Sequence, residues 1–148
     1  MKLSDNFTFE ELTTTQIRDL LDANREEAKQ FAYPLLRVAQ ELLEPIRTHF
    51  NKPVTVNSGF RGKTLNARVG GSKTSQHCLG EAVDFVIAGY DTDEKLLEAA
   101  KKIYKELPNL KFGQLLVEYG CLHISLGTKR EIARYDVPSK TKKPIDVA

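Results

Sequence analysis

Gln114-Leu115-Leu116-Val117-Glu118-Tyr119-Gly120-Cys121-Leu122-His123-Ile124-Ser125 is the stretch whose reading decides the fold class. Two apolar runs flank Tyr119-Gly120, and a two-residue loop between such runs predicts a β-hairpin. In that register residue 118 faces 121 and residue 116 faces 123. Alternation along the strands then puts Leu116, Glu118, Cys121, His123 and Ser125 on one side of the sheet. Glu118 and His123 become diagonal neighbours, roughly 7–8 Å apart at the backbone. A loop longer or shorter by one residue would turn every one of these side chains to the opposite face. Tyr119 is not a residue favoured in a tight primed turn.

Upstream, Ser75-Gln76-His77-Cys78-Leu79-Gly80-Glu81-Ala82-Val83-Asp84 places a histidine, a glycine turn and then an aspartate inside an apolar run. Ala82 to Ile87 reads as a strand buried on both sides except at Asp84. A carboxylate there needs a cation or donors, because an unpaired buried charge is expensive. His77, Asp84 and His123 with a spare Glu118 are the parts of a hydrolytic zinc centre, in which three protein ligands leave a fourth position open to water. The gap between Glu118 and His123 suits a glutamate that reaches that water without ligating the metal.

Helical signals dominate the first third. Thr8-Phe9-Glu10-Glu11 is a capping-box pattern that opens a short helix. Leu35, Val38, Ala39, Leu42, Leu43 and Ile46 recur with helical spacing, with Pro34 in the first turn. Pro45 is expected to bend this helix or end it early, since proline removes an internal hydrogen bond and crowds the preceding turn. Val54-Thr55-Val56 predicts a strand closed by Asn57-Ser58-Gly59, and residues 64–69 predict a brief helix stopped by Gly70-Gly71. Residues 93–107 form an amphipathic helix with Pro108 as its stop. After Leu126 the chain turns polar and basic, and Pro138-Ser139-Lys140-Thr141-Lys142-Lys143-Pro144 predicts an extended or mobile tail.

Composition sets bounds rather than a function. The 148 residues suit one domain, residues 1–148, with a core over about 7–127 and a basic extension over 128–148. Hydrophobic residues make up 41%, charged residues 28%, and the net charge is +2, so no nucleic-acid or membrane partner is called for. The N-terminus lacks the apolar core of a signal peptide, which predicts synthesis in the cytoplasm and action on a cell wall only after release, as in phage lysis or at a phage tail. Two cysteines are too few for a disulfide scaffold, and Cys78 and Cys121 read as small buried hydrophobes. His49, after a helix whose C-terminal dipole favours its charge, reads as a surface residue.

Ser75-x-His77-x-x-Gly80-x-Ala82-x-Asp84, followed by Glu118 and His123-x-Ser125, resembles the signature of the zinc D-alanyl-D-alanine metallopeptidases. That family includes D,D-carboxypeptidases, the D,D-dipeptidases and carboxypeptidases of vancomycin resistance, and phage endolysins. The resemblance extends back through Ser58-Gly59-Phe60-Arg61, Leu65-Asn66 and Val69-Gly70-Gly71-Ser72-Lys73-Thr74. It implies that His77, Asp84 and His123 bind Zn2+ and that Glu118 is the catalytic base. It makes Arg61 the residue that steadies the substrate carbonyl oxygen or carboxylate, and Ser75 a support or substrate contact beside the first ligand. Many relatives carry a tryptophan just before the last histidine where this chain has Cys121-Leu122, a change in the pocket wall that leaves the ligands intact.

The resulting expectation is an α+β fold with helices packed against a small, mainly antiparallel sheet, like that of the D,D-peptidases and the Hedgehog signalling domain. The expected function is zinc-dependent hydrolysis of peptidoglycan stem peptides by a monomer, as a carboxypeptidase or as an endolysin-like endopeptidase. The alternative is a non-catalytic zinc-binding module of a cell wall or phage structure. Taken singly, the residues have other readings: a hydrogen-bonded core histidine for His123, an arginine partner for Asp84, a solvated hairpin end for Glu118, and a turn cap for Arg61. The bond that is cut stays open among D-Ala-D-Ala, L-Ala-D-Glu and cross-bridge linkages.

Overall fold

The hairpin forms in the expected register. In a computed structural model that describes residues 1–136 and 138–147, strands β3 (Gln114–Glu118) and β4 (Cys121–Ser125) pair antiparallel, with Leu116 opposite His123 and Glu118 opposite Cys121. Gly120 takes φ of 76° while Tyr119 keeps a negative φ. The loop is therefore not a primed turn with two left-handed residues, and Tyr119 meets no backbone penalty. Its ring stands 88% exposed at the tip.

Strands β1 (Val54–Ser58) and β2 (Ala82–Ile87) complete one side of the sheet. β2 pairs antiparallel with both β1 and β4, so Asp84 lies between Ser58 and His123. The segment after Leu126, expected as an extended or mobile tail, instead supplies β5 (Glu131–Asp136) and β6 (Thr141–Pro144). β5 runs parallel to β3 and pairs antiparallel with β6, giving the six-stranded order β1-β2-β4-β3-β5-β6. The polar composition of this segment follows from its place at the sheet margin, where β6 is exposed along its length and lysines guard an open edge. Val137 and Ala148, which fall within the expected basic extension, lie outside the described residues.

Helices α1 (Phe9–Leu12), α2 (Leu21–Ala28), α3 (Ala32–Arg37), α4 (Glu44–Phe50), α5 (Lys63–Arg68) and α6 (Asp93–Glu106) make the class α+β, as the periodicities require. Thr8 caps α1 through the reciprocal capping box with Glu11. Pro45 does not end its helix. A π-wound segment, Val38–Leu43, joins α3 to α4, and the Glu44 N–H donates to Ala39 O five residues back. Widening the turn before the proline relieves its demand on the i−4 carbonyl, so the helix continues to Phe50.

One face of the sheet is the core. Val83, Phe85, Ile87, Leu115, Val117, Leu122 and Ile124 join Leu35, Leu42, Leu43 and Ile46 with Leu96, Ala100 and Ile103 of α6 in one buried cluster. Burying a leucine, isoleucine or phenylalanine contributes about 1.5–3 kcal/mol, so this face fixes which side of each strand is free for chemistry. His49 lies on the surface, as expected, with its Nε2 2.7 Å from Glu106 of α6. No helix among the described residues is long and apolar enough to cross a membrane.

Candidate metal centre

The face opposite the core carries Asp84, Leu116, Glu118, Cys121, His123 and Ser125, as alternation from the two pairings demands. His77 reaches the same place from a 3-10 turn, Gln76–Leu79, which Ser75 caps by accepting from the His77 N–H at 3.2 Å. Gly80 ends that turn with φ of 69°, and its hydrogen side lies against Phe31 and Leu35, where a Cβ would come within about 3.1 Å of Phe31. The chain can thus fold from His77 straight into β2 and Asp84.

His77, Asp84 and His123 converge. His77 Nε2 lies 3.3 Å and His123 Nδ1 2.9 Å from the same oxygen, Asp84 Oδ1. The two rings meet edge to face, with centroids 5.1 Å apart. His77 Nδ1 lies 2.7 Å from the Gly59 carbonyl. A carbonyl only accepts, so Nδ1 carries the hydrogen and a neutral His77 turns a bare Nε2 lone pair at the carboxylate. Lone pair against carboxylate is repulsive unless a proton or a cation sits between them. The donor set, two imidazole nitrogens and one carboxylate oxygen, fits a metal ion. Ligand bonds of about 2.0–2.1 Å at tetrahedral angles would put ligand atoms roughly 3.3–3.4 Å apart, close to the separations found.

The electrostatics follow from burial. Burial works against the charge of Asp84, but hydrogen bonds and charge from His123 and His77 outweigh it and hold the carboxyl well below the usual range. Glu118 moves the other way: burial first, then repulsion from Asp84, raises it, while His123, His77 and Arg61 oppose the rise. Its Oε1 stands 4.0 Å from His123 Nδ1, beside the triad rather than in it, as the diagonal hairpin position requires. Cys121 is half-buried and free, not a fully buried hydrophobe, and burial with Asp84 and Glu118 nearby pushes its thiol up to about 12. Cys78 is likewise half-buried and free.

Arg61 arrives from the loop between β1 and α5. Its Nη2 lies 3.5 Å from Ser75 Oγ, its backbone N–H donates to His77 O, and its buried Nε has no partner among the described residues. It does not pair with Asp84. Asn24, absent from the sequence reading, holds this loop: its amide donates to Thr13 O and Phe60 O, and its carbonyl oxygen accepts from the Gly62 N–H. Gly59 was also passed over as a turn residue. A Cβ there would stand 2.1 Å from Leu12 O, so the close approach of α1 requires glycine and fixes the carbonyl that orients His77. The signal was present in Ser58-Gly59-Phe60-Arg61, but the contact it serves is remote in sequence.

A family model described as Peptidase M15 matches residues 5–113. The chain belongs to the peptidase M15 family. The matched range holds Arg61, Ser75, His77 and Asp84, while Glu118 and His123 of this M15 chain follow it, placed by the hairpin register. A 34-residue stretch is 53% identical to the zinc D-Ala-D-Ala carboxypeptidase of Streptomyces albus G, covering 23% of the M15 chain and 13% of that protein.

Proposed function

We propose that this M15 chain is a zinc-dependent peptidase that hydrolyses peptidoglycan stem peptides at bonds involving D-amino acids, with His77 Nε2, Asp84 Oδ1 and His123 Nδ1 holding the ion. The observation that carries this reading is the Asp84 oxygen set between two imidazole nitrogens, one on a ring whose other nitrogen already donates to Gly59. The name of the Streptomyces relative supports zinc and the D-Ala-D-Ala class of bond. When bound, zinc would polarise the scissile carbonyl and acidify a water beside it.

The protein's own groups do the rest. Glu118, next to the triad and raised by burial, takes the proton of the attacking water and returns it to the leaving amine, a role that contributes on the order of 10²–10⁴ in rate. Arg61, steadied by Ser75, presents positive charge to the carbonyl oxygen or to the peptide carboxylate. An ion, a guanidinium and a single anionic ligand together favour carboxylate-bearing peptides, and a free C-terminal D-Ala suits a carboxypeptidase where an internal bond suits an endolysin-type enzyme.

The test is Glu118→Gln with purified muropeptides and mass spectrometry of products. The variant should keep stoichiometric zinc and lose hydrolysis by about 10²–10⁴. Zinc-loaded wild type that releases no product from any muropeptide would overturn the enzyme reading and leave a zinc-binding module.

A further inference from the structure

At the turn end of the hairpin a second set of ligand atoms converges. A carboxylate oxygen of Asp84, a carboxylate oxygen of Glu118 and Cys121 Sγ all lie within 4.8 Å of one another. Glu118 and Cys121 face each other directly across β3 and β4, and Asp84 stands one row further in, opposite His123. Both imidazoles approach the same oxygen of Asp84, Oδ1, so its other oxygen remains for a second neighbour. Among the described residues neither Asp84 nor Glu118 forms an ion pair with a lysine or arginine; their only close cationic partners are the two histidines. The carboxylates and the thiol therefore enclose a space with no ion-paired lysine or arginine, and Arg61 acts on Glu118 only from beyond ion-pair distance.

We propose that Asp84, Glu118 and Cys121 form a second, inhibitory site for a soft divalent cation, zinc in excess or cadmium, with Asp84 bridging to the ion held by His77 and His123. This rests on the reading of the first triad given above. The donor set selects the cation: one sulfur with two oxygens favours zinc and cadmium over magnesium and calcium, which take oxygen alone. A shared carboxylate holds paired ions about 3.5–4 Å apart, and the two triads have Asp84 in common. Binding releases the Cys121 thiol proton to solvent, since a coordinating thiol is deprotonated. It also occupies the Glu118 oxygen that would accept the proton of water, so activity falls while the first ion stays in place.

The experiment is a cadmium titration of the metal-free chain, counting ions per chain by native mass spectrometry and following sulfur-to-cadmium charge-transfer absorption. Wild type and Cys78→Ser should each take up two ions, with the absorption growing only with the second equivalent. Cys121→Ser should take up one ion and show no such band, and the zinc concentration that inhibits its peptidase activity should rise roughly tenfold or more. A band that appears with the first equivalent, survives in Cys121→Ser or vanishes in Cys78→Ser would overturn the proposal. One ion and no band in wild type would sink this site and leave the first triad standing; no ion at all would sink both. The contrast of wild type with Cys78→Ser decides the matter even if Cys121→Ser does not fold.

Discussion

Glu118 and Asp84 are two carboxylates on one sheet face whose environments push them apart, and the sign of each shift sets a prediction. Asp84 is held below its ordinary range by two imidazoles despite its burial; Glu118 is raised by burial and by Asp84. A group raised in the fold lends stability below its unfolded pKa and loses it as pH rises through the folded one. Charged Glu118 is thus a liability in the metal-free fold at neutral pH. Glu118→Gln should unfold at a higher temperature than wild type in chelator at neutral pH, and the difference should vanish near pH 4, where the ordinary glutamate titrates (about 4.3). Thermal scans at the two pH values read this directly; a variant less stable than wild type at neutral pH would contradict it. At Gly59 the issue is steric. Gly59→Ala would drive a methyl into Leu12 O, so it should cost about 1–3 kcal/mol in stability. By shifting the carbonyl that orients His77 it should also weaken metal affinity about 10- to 100-fold, measured by competition with a chromogenic chelator.

The hairpin, β2 and α6 were legible because each has a strong local period: alternation about Tyr119-Gly120, a continuous apolar run broken at Asp84, and an i, i+3, i+4 stripe ending in Pro108. The long helix was legible in its apolar face but not in its winding, because a π turn that accommodates Pro45 leaves no periodic trace over six residues. The strands after Leu126 were missed for a different reason. Their cohesion comes from pairing with β3, from Arg130 and from a sparse apolar set, Ala133 with Ile132 and Ile145, too thin to show as a periodic run. Arg130 donates to the carbonyls of Tyr104 and Leu107 at the C-terminal end of α6, where the helix dipole favours a cation, and to that of Leu110 in the loop beyond it. Its guanidinium also lies over the rings of Tyr104 and Phe112, 4.9 and 4.8 Å from their centroids. One side chain thereby ties α6 to the start of β5. Arg130→Ala leaves those carbonyls without their charged donor and should cost about 1.5–3 kcal/mol. Amide hydrogen exchange should show the loss first in β5, β6 and the last turn of α6; protection unchanged there would mean that strand pairing alone holds the segment.

At the scale of the whole molecule the centre is a staple between parts of the chain that are far apart in sequence. His77 comes from the turn after α5, Asp84 from β2 and His123 from β4, and the orienting carbonyl of Gly59 lies against α1. The sequence could single out the three residues that converge here through their signature, but not Asn24 and Gly59, whose roles exist only once the loop at Phe60 is packed against Leu12. A metal that binds this assembled set and not the unfolded chain must stabilise the fold by mass action. At free zinc about a hundredfold above the dissociation constant the gain is about 2.7 kcal/mol. For a domain of this size each kilocalorie moves the midpoint by roughly 2–4 °C, so stripping zinc should lower it by roughly 5–11 °C. His123→Ala removes a proposed ligand from the sheet itself and should abolish that increment, leaving one melting curve with or without zinc. Glu118→Gln stands outside the triad and should keep it. If both variants lost the increment equally, Glu118 would be a ligand rather than a base, and the division of labour read from the 4.0 Å gap between Glu118 and His123 would fail.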